Sequence, residues 1–212
     1  LTVSSPSMLT AATGIDALTH AIEAYVSIKA QPMSDMFALS AIKLLAENLR
    51  KAWVNGDNLK ARSCTMLGAF QAGVAFSNSS VALVHGMSRP IGAYFHIPHG
   101  LSNAVLLEPV MEFSITGNPQ RYADIAEAMG EKLEGLTAIE GAFNALKAVR
   151  ALIQDIKIPT LNSLGVTKEK LEAIVEKMAD DAIASGSPQN NPRKARREEI
   201  IALYWKAFNQ YL

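Results

Sequence analysis

The chain has 212 residues, enough to bury a sizeable core as one domain. Apolar residues make up 49% and charged residues 19%, with 20 Lys plus Arg against 20 Asp plus Glu. This balance excludes a basic footprint for nucleic acid and a polybasic membrane signal. The single cysteine, Cys64, excludes an internal disulfide and fits a reducing compartment. It lies in the helical-looking stretch 61–75, where a buried spectator thiol is expected rather than a nucleophile. No apolar run reaches the ~18 residues of a membrane span, and no signal peptide precedes the first element. The expected location is cytoplasmic. The sequence opens on Leu1 with no Met, which suggests a fragment, a processed chain or a trimmed one.

Ser5-Pro6 reads as a helix start, serine as N-cap and proline at the first helical position. A short helix to about residue 12 is expected, with a break at Gly14. Residues 15–28 follow as a helix with Leu18, Ile22, Tyr25 and Val26 on its apolar stripe and Asp16, His20 and Glu23 on a neighbouring face. Gln31-Pro32 ends it. Residues 34–50 form the next helix, with Met36, Leu39, Ile42, Leu45 and Leu49 inward and Arg50 and Lys51 at the negative end of its dipole.

After a turn at Asn55-Gly56-Asp57-Asn58, residues 59–76 resume as helix. Asn78-Ser79-Ser80 caps a helix over 81–95, in which Pro90 predicts a kink or an early end. His96-Ile97-Pro98-His99-Gly100 is a turn, because Pro98 biases its predecessor away from the helical region. Residues 101–113 form a very apolar helix, buried on most sides. Asn118-Pro119 starts a helix ending near Gly130, and Thr137 with Glu140 spells a capping box for one running to about Ile156. Residues 167–184 are helical, and Asn191-Pro192 is expected to start the last helix. With no alternating strand pattern, no Gly-rich phosphate loop and no internal repeat, the expected fold is all-α with roughly eight to ten helices.

The chemistry concentrates in two segments. Asp16 and His20 are four residues apart and share a helix face, so they can grip one ion. His85 and His99 can close the shell from the stretch 81–100, which holds three of the four histidines. Three imidazoles and a carboxylate suit a divalent transition metal, with room left for an exchangeable oxygen. Hydrogen-bonded core histidines are the plainer reading of the same spacing. His96 is either an alternative ligand or a cleft or structural residue; Pro98, between it and His99, breaks helical geometry. Arg89, four residues after His85, pairs with an acidic side chain or faces an anionic cofactor or substrate. Trp53 and Trp205 read as core, and the run Arg193, Lys194, Arg196, Arg197 as a solvated helix face balanced by Glu198 and Glu199.

The stretch Thr13-Gly14-Ile15-Asp16-Ala17-Leu18-Thr19-His20-Ala21-Ile22-Glu23-Ala24-Tyr25 resembles the metal-binding helix of iron-containing, NAD-dependent (type III) alcohol dehydrogenases. His85-Gly86-Met87 followed by Pro98-His99-Gly100 is similar to that family's second metal segment, and Asn191-Pro192-Arg193 to its carboxyl-terminal signature. The resemblance spans essentially the whole chain. It implies Asp16, His20, His85 and His99 as ligands of Fe2+, or of Zn2+ in some relatives. It also implies an all-helical domain, residues 1–212, whose partner would be its own amino-terminal α/β domain, absent here, which binds NAD or NADP. Leu1 falls close to that domain boundary. The implied reaction oxidises a small alcohol to an aldehyde or ketone, and the reverse, by metal-stabilised alkoxide and hydride transfer. The chain alone is expected to be inactive, and a homo-oligomer is expected. Where many members carry a histidine, this chain has Arg89, which stays protonated. Arg89 and His96 are therefore the expected catalytic residues, His96 for proton movement, and Arg89 and His99 the expected cofactor contacts. Competing expectations are a zinc-dependent, glycerol-dehydrogenase-like or dehydroquinate-synthase-like member, a helical metal-dependent hydrolase or oxygenase, and a non-catalytic helical interaction module.

Overall fold

The structure is a computed structural model and describes residues 2–209. Those residues form α1 (Ser7–Val26), α2 (Pro32–Val54), α3 (Leu59–Ser79), α4 (Leu83–Phe95), α5 (His99–Ser114), α6 (Pro119–Ala128), α7 (Ala138–Asp155), α8 (Lys168–Ala184) and α9 (Arg197–Phe208). Two 3-10 turns, Ile115–Gly117 and Ser187–Asn190, complete the regular structure, and there is no strand among the described residues. The all-α expectation holds. No single helix among them is long and apolar enough to cross a membrane.

Two helices run through the interior. α1 packs against α2, α3 and α5, and α5 in turn against α4, α7 and α9. The stripe Leu18, Ile22, Tyr25 and Val26 is buried, as its spacing predicts. Every residue of α5 from Leu101 to Met111 is buried, so the helix that reads as apolar on most sides is the one surrounded on most sides.

Several local expectations are corrected. α1 is unbroken through Gly14, because that glycine serves packing and not a turn: a Cβ there would lie 2.2 Å from Leu49 Cδ1. The cap of α1 is Pro6, with no side-chain hydrogen bond; Ser5 instead accepts from Arg62 through its carbonyl. In α2 the buried stripe runs through Ala38, Ala41, Ile42, Leu45, Leu49 and Ala52, leaving Met36 exposed and Leu39 only partly covered. α4 runs through Pro90 to Phe95, as its expected bounds give, so the early end does not occur.

The last helix starts at Arg197, not at Asn191-Pro192. Asn191 is buried and donates to Ser114 Oγ and to the Arg193 carbonyl. Arg193 stacks on Phe113 and pairs with Glu199, and Arg197 pairs with Asp180. The basic run is thus partly a set of staples between the ends of α5, α8 and α9 rather than a free helix face. Cys64 is half-buried, not enclosed, and Trp53 and Trp205 pack against the core from its margin.

Candidate metal centre

Three helices bring the predicted donors together. α1 supplies Asp16 and His20, the first turn of α4 supplies His85, and the first residue of α5 is His99. One ligand atom from each lies within 4.8 Å of those from the other three. Asp16 Oδ1 is 3.8 Å from His85 Nε2 and 3.6 Å from His99 Nε2. Donors held at about 2.1 Å around a tetrahedral ion lie about 3.4 Å apart, so this spread is close to that of a coordination shell. Four donors of this chemistry, three neutral imidazoles and a carboxylate, fit a divalent transition metal.

Local geometry explains why the donors converge. The turn between α4 and α5 closes with His96 in the left-handed region, φ 56°, as the C-cap of α4, and Pro98 then caps α5. That tight reversal returns His99 toward His85. α5 then approaches α1 closely at Gly100, where a Cβ would lie 2.6 Å from the Ala12 carbonyl oxygen. Only glycine permits this contact, which sets α5 against the helix carrying Asp16 and His20.

The imidazoles are oriented by partners behind them. His85 is buried, and its Nδ1 lies 2.6 Å from Glu23 Oε2. The Glu23 carboxylate also accepts from the backbone N–H groups of Val84, at 2.5 Å, and His85, at 3.4 Å. The N-cap of α4 is Ala82, whose methyl cannot accept a hydrogen bond, so Glu23 from α1 satisfies orphan donors of that helix end. One buried carboxylate therefore caps α4 and fixes the His85 tautomer that leaves Nε2 free for an ion. His20 Nδ1 donates to the Asp16 carbonyl at 2.8 Å, which frees its Nε2 in the same way.

Burial holds the pKa of His20 below its ordinary value, with the His85 ring adding to the effect and Asp16 opposing it. Burial does the same for His99; Asp16 opposes it, while His85 and Arg89 add to it. Both shifts favour the neutral imidazole that a metal needs. The site is open on one side. The His99 side chain is 50% exposed, and a cleft of about 220 Å³ between α1 and α3, lined by Thr13, Ala17, Gly73 and Phe76, reaches Asp16 and His20.

Arg89 is exposed on α4, near enough to depress His99. His96 is apart from this group. It lines a different cleft, with Tyr94, Leu164, Gly165 and Lys170, that shares no residue with the one at Asp16 and His20. Two residues of the centre went unassigned in the sequence. Glu23 carries a legible signal, since it sits seven residues after Asp16 and three after His20 on one helix face. Asn103, four residues after His99, also reaches the donors, its Nδ2 lying 3.1 Å from both His85 Nε2 and His99 Nε2.

Residues 10–208 match the family described as Fe-containing alcohol dehydrogenase family, C-terminal. 1,3-Propanediol dehydrogenase of Klebsiella pneumoniae is 44% identical over 209 residues, which is 98% of this chain and 53% of that protein. Lactaldehyde reductase of Escherichia coli (strain K12) is 42% identical over 204 residues, 96% of this chain and 52% of its own length. The crystal structure of a 1,3-propanediol oxidoreductase superimposes with a TM-score of 0.93 at 43% identity, covering 97% of this chain and 53% of that one. The chain spans about half the length of the curated relatives it matches. By the family model and by its fold, this chain belongs to the Fe-containing alcohol dehydrogenase family, and corresponds to its C-terminal part.

Proposed function

We propose that this chain is the metal-holding half of a nicotinamide-dependent alcohol dehydrogenase that interconverts small alcohols, primary ones among them, and the corresponding aldehydes or ketones. The carrying observation is the convergence of Asp16, His20, His85 and His99 on one point, with Glu23 and a backbone carbonyl fixing two of the imidazoles from behind. A divalent iron held there supplies a Lewis acid for the alcohol or carbonyl oxygen; zinc is the alternative the same donors accept. The chain's own residues do the rest of the local work. Asp16, His20 and His85 are largely covered, while the His99 side chain is half exposed and the cleft between α1 and α3 offers a small substrate a way to Asp16 and His20. Phe76, whose ring is tilted against that of His20 with centroids 4.4 Å apart, lines the cleft with an apolar surface.

Arg89 carries a fixed positive charge near His99, which suits it to an anionic part of the cofactor or substrate, with His99 as its neighbour. A proton role for His96 requires its separate cleft to communicate with the centre. The nicotinamide itself would sit on an amino-terminal α/β domain, because hydride transfer needs donor and acceptor held face to face. Exposed Met8, Leu9, Met66, Leu67 and Phe70 on α1 and α3 support a large partner surface beside the cleft. That surface also supports self-association.

The test is metal content after anaerobic purification, on this chain and on His85→Ala. About one iron or zinc per chain, lost in the variant, supports the reading; no metal in either chain or the intact protein refutes it. Alcohol-dependent NADH formation by the 212-residue chain alone would refute the need for a second domain.

A further inference from the structure

Asn103 stands in the middle of the centre and is the only one of its residues with an unmet demand among the described residues. It is fully buried. Its amide nitrogen lies 2.5 Å from Asp16 Oδ1 and 3.1 Å from both His85 Nε2 and His99 Nε2, touching three of the four donors at once. Its Oδ1 is buried without a hydrogen-bond partner. A buried amide oxygen left unpaired is a costly arrangement that a folded protein rarely keeps without a reason.

The surroundings dictate which end of the amide faces inward. Asp16 offers a carboxylate oxygen. His85 donates its Nδ1–H to Glu23, so in the neutral ring Nε2 is the acceptor. Acceptors converge on one spot, and an NH2 group is the neutral stand-in for a cation there. An ion bound to the same atoms at the ~2.1 Å usual for such ligands would be in contact with whatever Asn103 turns toward it. An N–H dipole aimed at a cation is repelled, whereas a carbonyl oxygen is a ligand for it. The terminal torsion of asparagine is broad and roughly two-fold, so one half-turn exchanges nitrogen for oxygen in nearly the same volume.

We propose that Asn103 is a switchable ligand: its NH2 group lies against Asp16, His85 and His99, and its amide turns over on metal binding to present Oδ1 as a further oxygen donor. The half-turn removes the repulsion and gives the orphaned oxygen its partner, and the cation's bond to Oδ1 has to outweigh the three contacts that the NH2 group gives up. The proposal rests on the metal reading above, and deepens it.

The test uses the intact protein, Zn2+ as a diamagnetic probe, and the side-chain amide NMR signals of Asn103. The NH2 pair should shift sharply at one equivalent of Zn2+ as its bonds to the carboxylate and imidazoles are lost. By chelator competition, Asn103→Ala should bind Zn2+ and Fe2+ at least about ten-fold more weakly, and metal-free should melt below the wild type. Asn103→Asp keeps an oxygen in place but sets a second carboxylate beside Asp16; it should hold metal at least as tightly as wild type while melting lower without it. Unmoved amide signals on a metal-loaded protein overturn the proposal. So does Asn103→Ala binding as tightly as wild type or tighter, or Asn103→Asp binding as weakly as Asn103→Ala. A wild-type protein that binds no metal refutes instead the reading on which it rests.

Discussion

Replacing Glu23 by glutamine removes one acceptor from a buried point where three N–H groups meet. Glu23 accepts from Val84 N–H, His85 N–H and His85 Nδ1–H, and is 3% exposed. Glutamine is nearly isosteric but offers one oxygen and one NH2. If the oxygen stays with the end of α4, the NH2 faces His85 Nδ1. The ring then either leaves a donor unpaired or moves its proton to Nε2, the atom that faces the ion. The first outcome costs about 1–3 kcal/mol, the usual range for an unpaired buried donor. For a domain of this size that lowers the melting temperature by about 2–12 °C, at roughly 2–4 °C per kcal/mol. The second outcome acts on the metal: loss of such an orienting partner weakens affinity about 10–100-fold, or about 1.4–2.8 kcal/mol. Thermal melting of the metal-free variant and chelator competition with Zn2+ measure the two separately. A variant that melts lower but binds metal within two-fold of wild type would show that Glu23 caps α4 without setting the tautomer of His85.

Gly100→Ala should destabilise the chain by about 1–3 kcal/mol, because the added methyl meets backbone of Ala12 at 2.6 Å and 2.9 Å and not a movable side chain. It should also weaken metal binding, since it drives apart the helices bearing Asp16 and His99; unchanged affinity would show that this approach does not set the site. Gly73→Ala is the control: its Cβ meets nothing within 4 Å, so replacement in mid-helix should stabilise by about 0.5–1 kcal/mol in a melting experiment while narrowing the open cleft. Burial lowers the pKa of His20 and His99, so between their folded values and about 6.5 the unfolded chain binds more protons. The metal-free protein should therefore carry no penalty from them above pH 6.5 and lose stability as pH falls below it, and bound metal should be released over the same range. Melting curves at pH 8 and pH 5.5 should differ less in a His20→Gln/His99→Gln double variant, and an equal difference would refute the assignment. His96→Gln should leave metal content unchanged and the alcohol-oxidation rate proposed for the intact protein within about two-fold, whereas a changed pH profile would put the ring in proton transfer.

The all-helical class was legible in the sequence because helical periodicity and turn chemistry are local. Leu18, Ile22, Tyr25 and Val26 mark their own inward face, and Thr137 with Glu140 forms the capping box their spacing predicts. The four candidate donors stood out for a similar reason: a charged or imidazole group on an otherwise apolar helix is conspicuous without knowledge of its neighbours. Sequence alone could not decide between a turn glycine and a packing glycine. Gly14 and Gly100 are defined by Leu49 and Ala12 pressing on them from other helices, and no local pattern records that pressure. Nor could it separate an inward Met36 from an exposed one, since which apolar edge of α2 is covered depends on where α3 lies. Glu23 and Asn103 belong to the same class. Asn103 reads as an ordinary polar residue and Glu23 only as a neighbour of Asp16 and His20 on one face; each acquires its role from partners on other helices: His85, 62 residues along the chain from Glu23, and Asp16, 87 residues from Asn103. Residue type proposes a ligand, but hydrogen bonding between distant segments orients it, and only the packed helices create that.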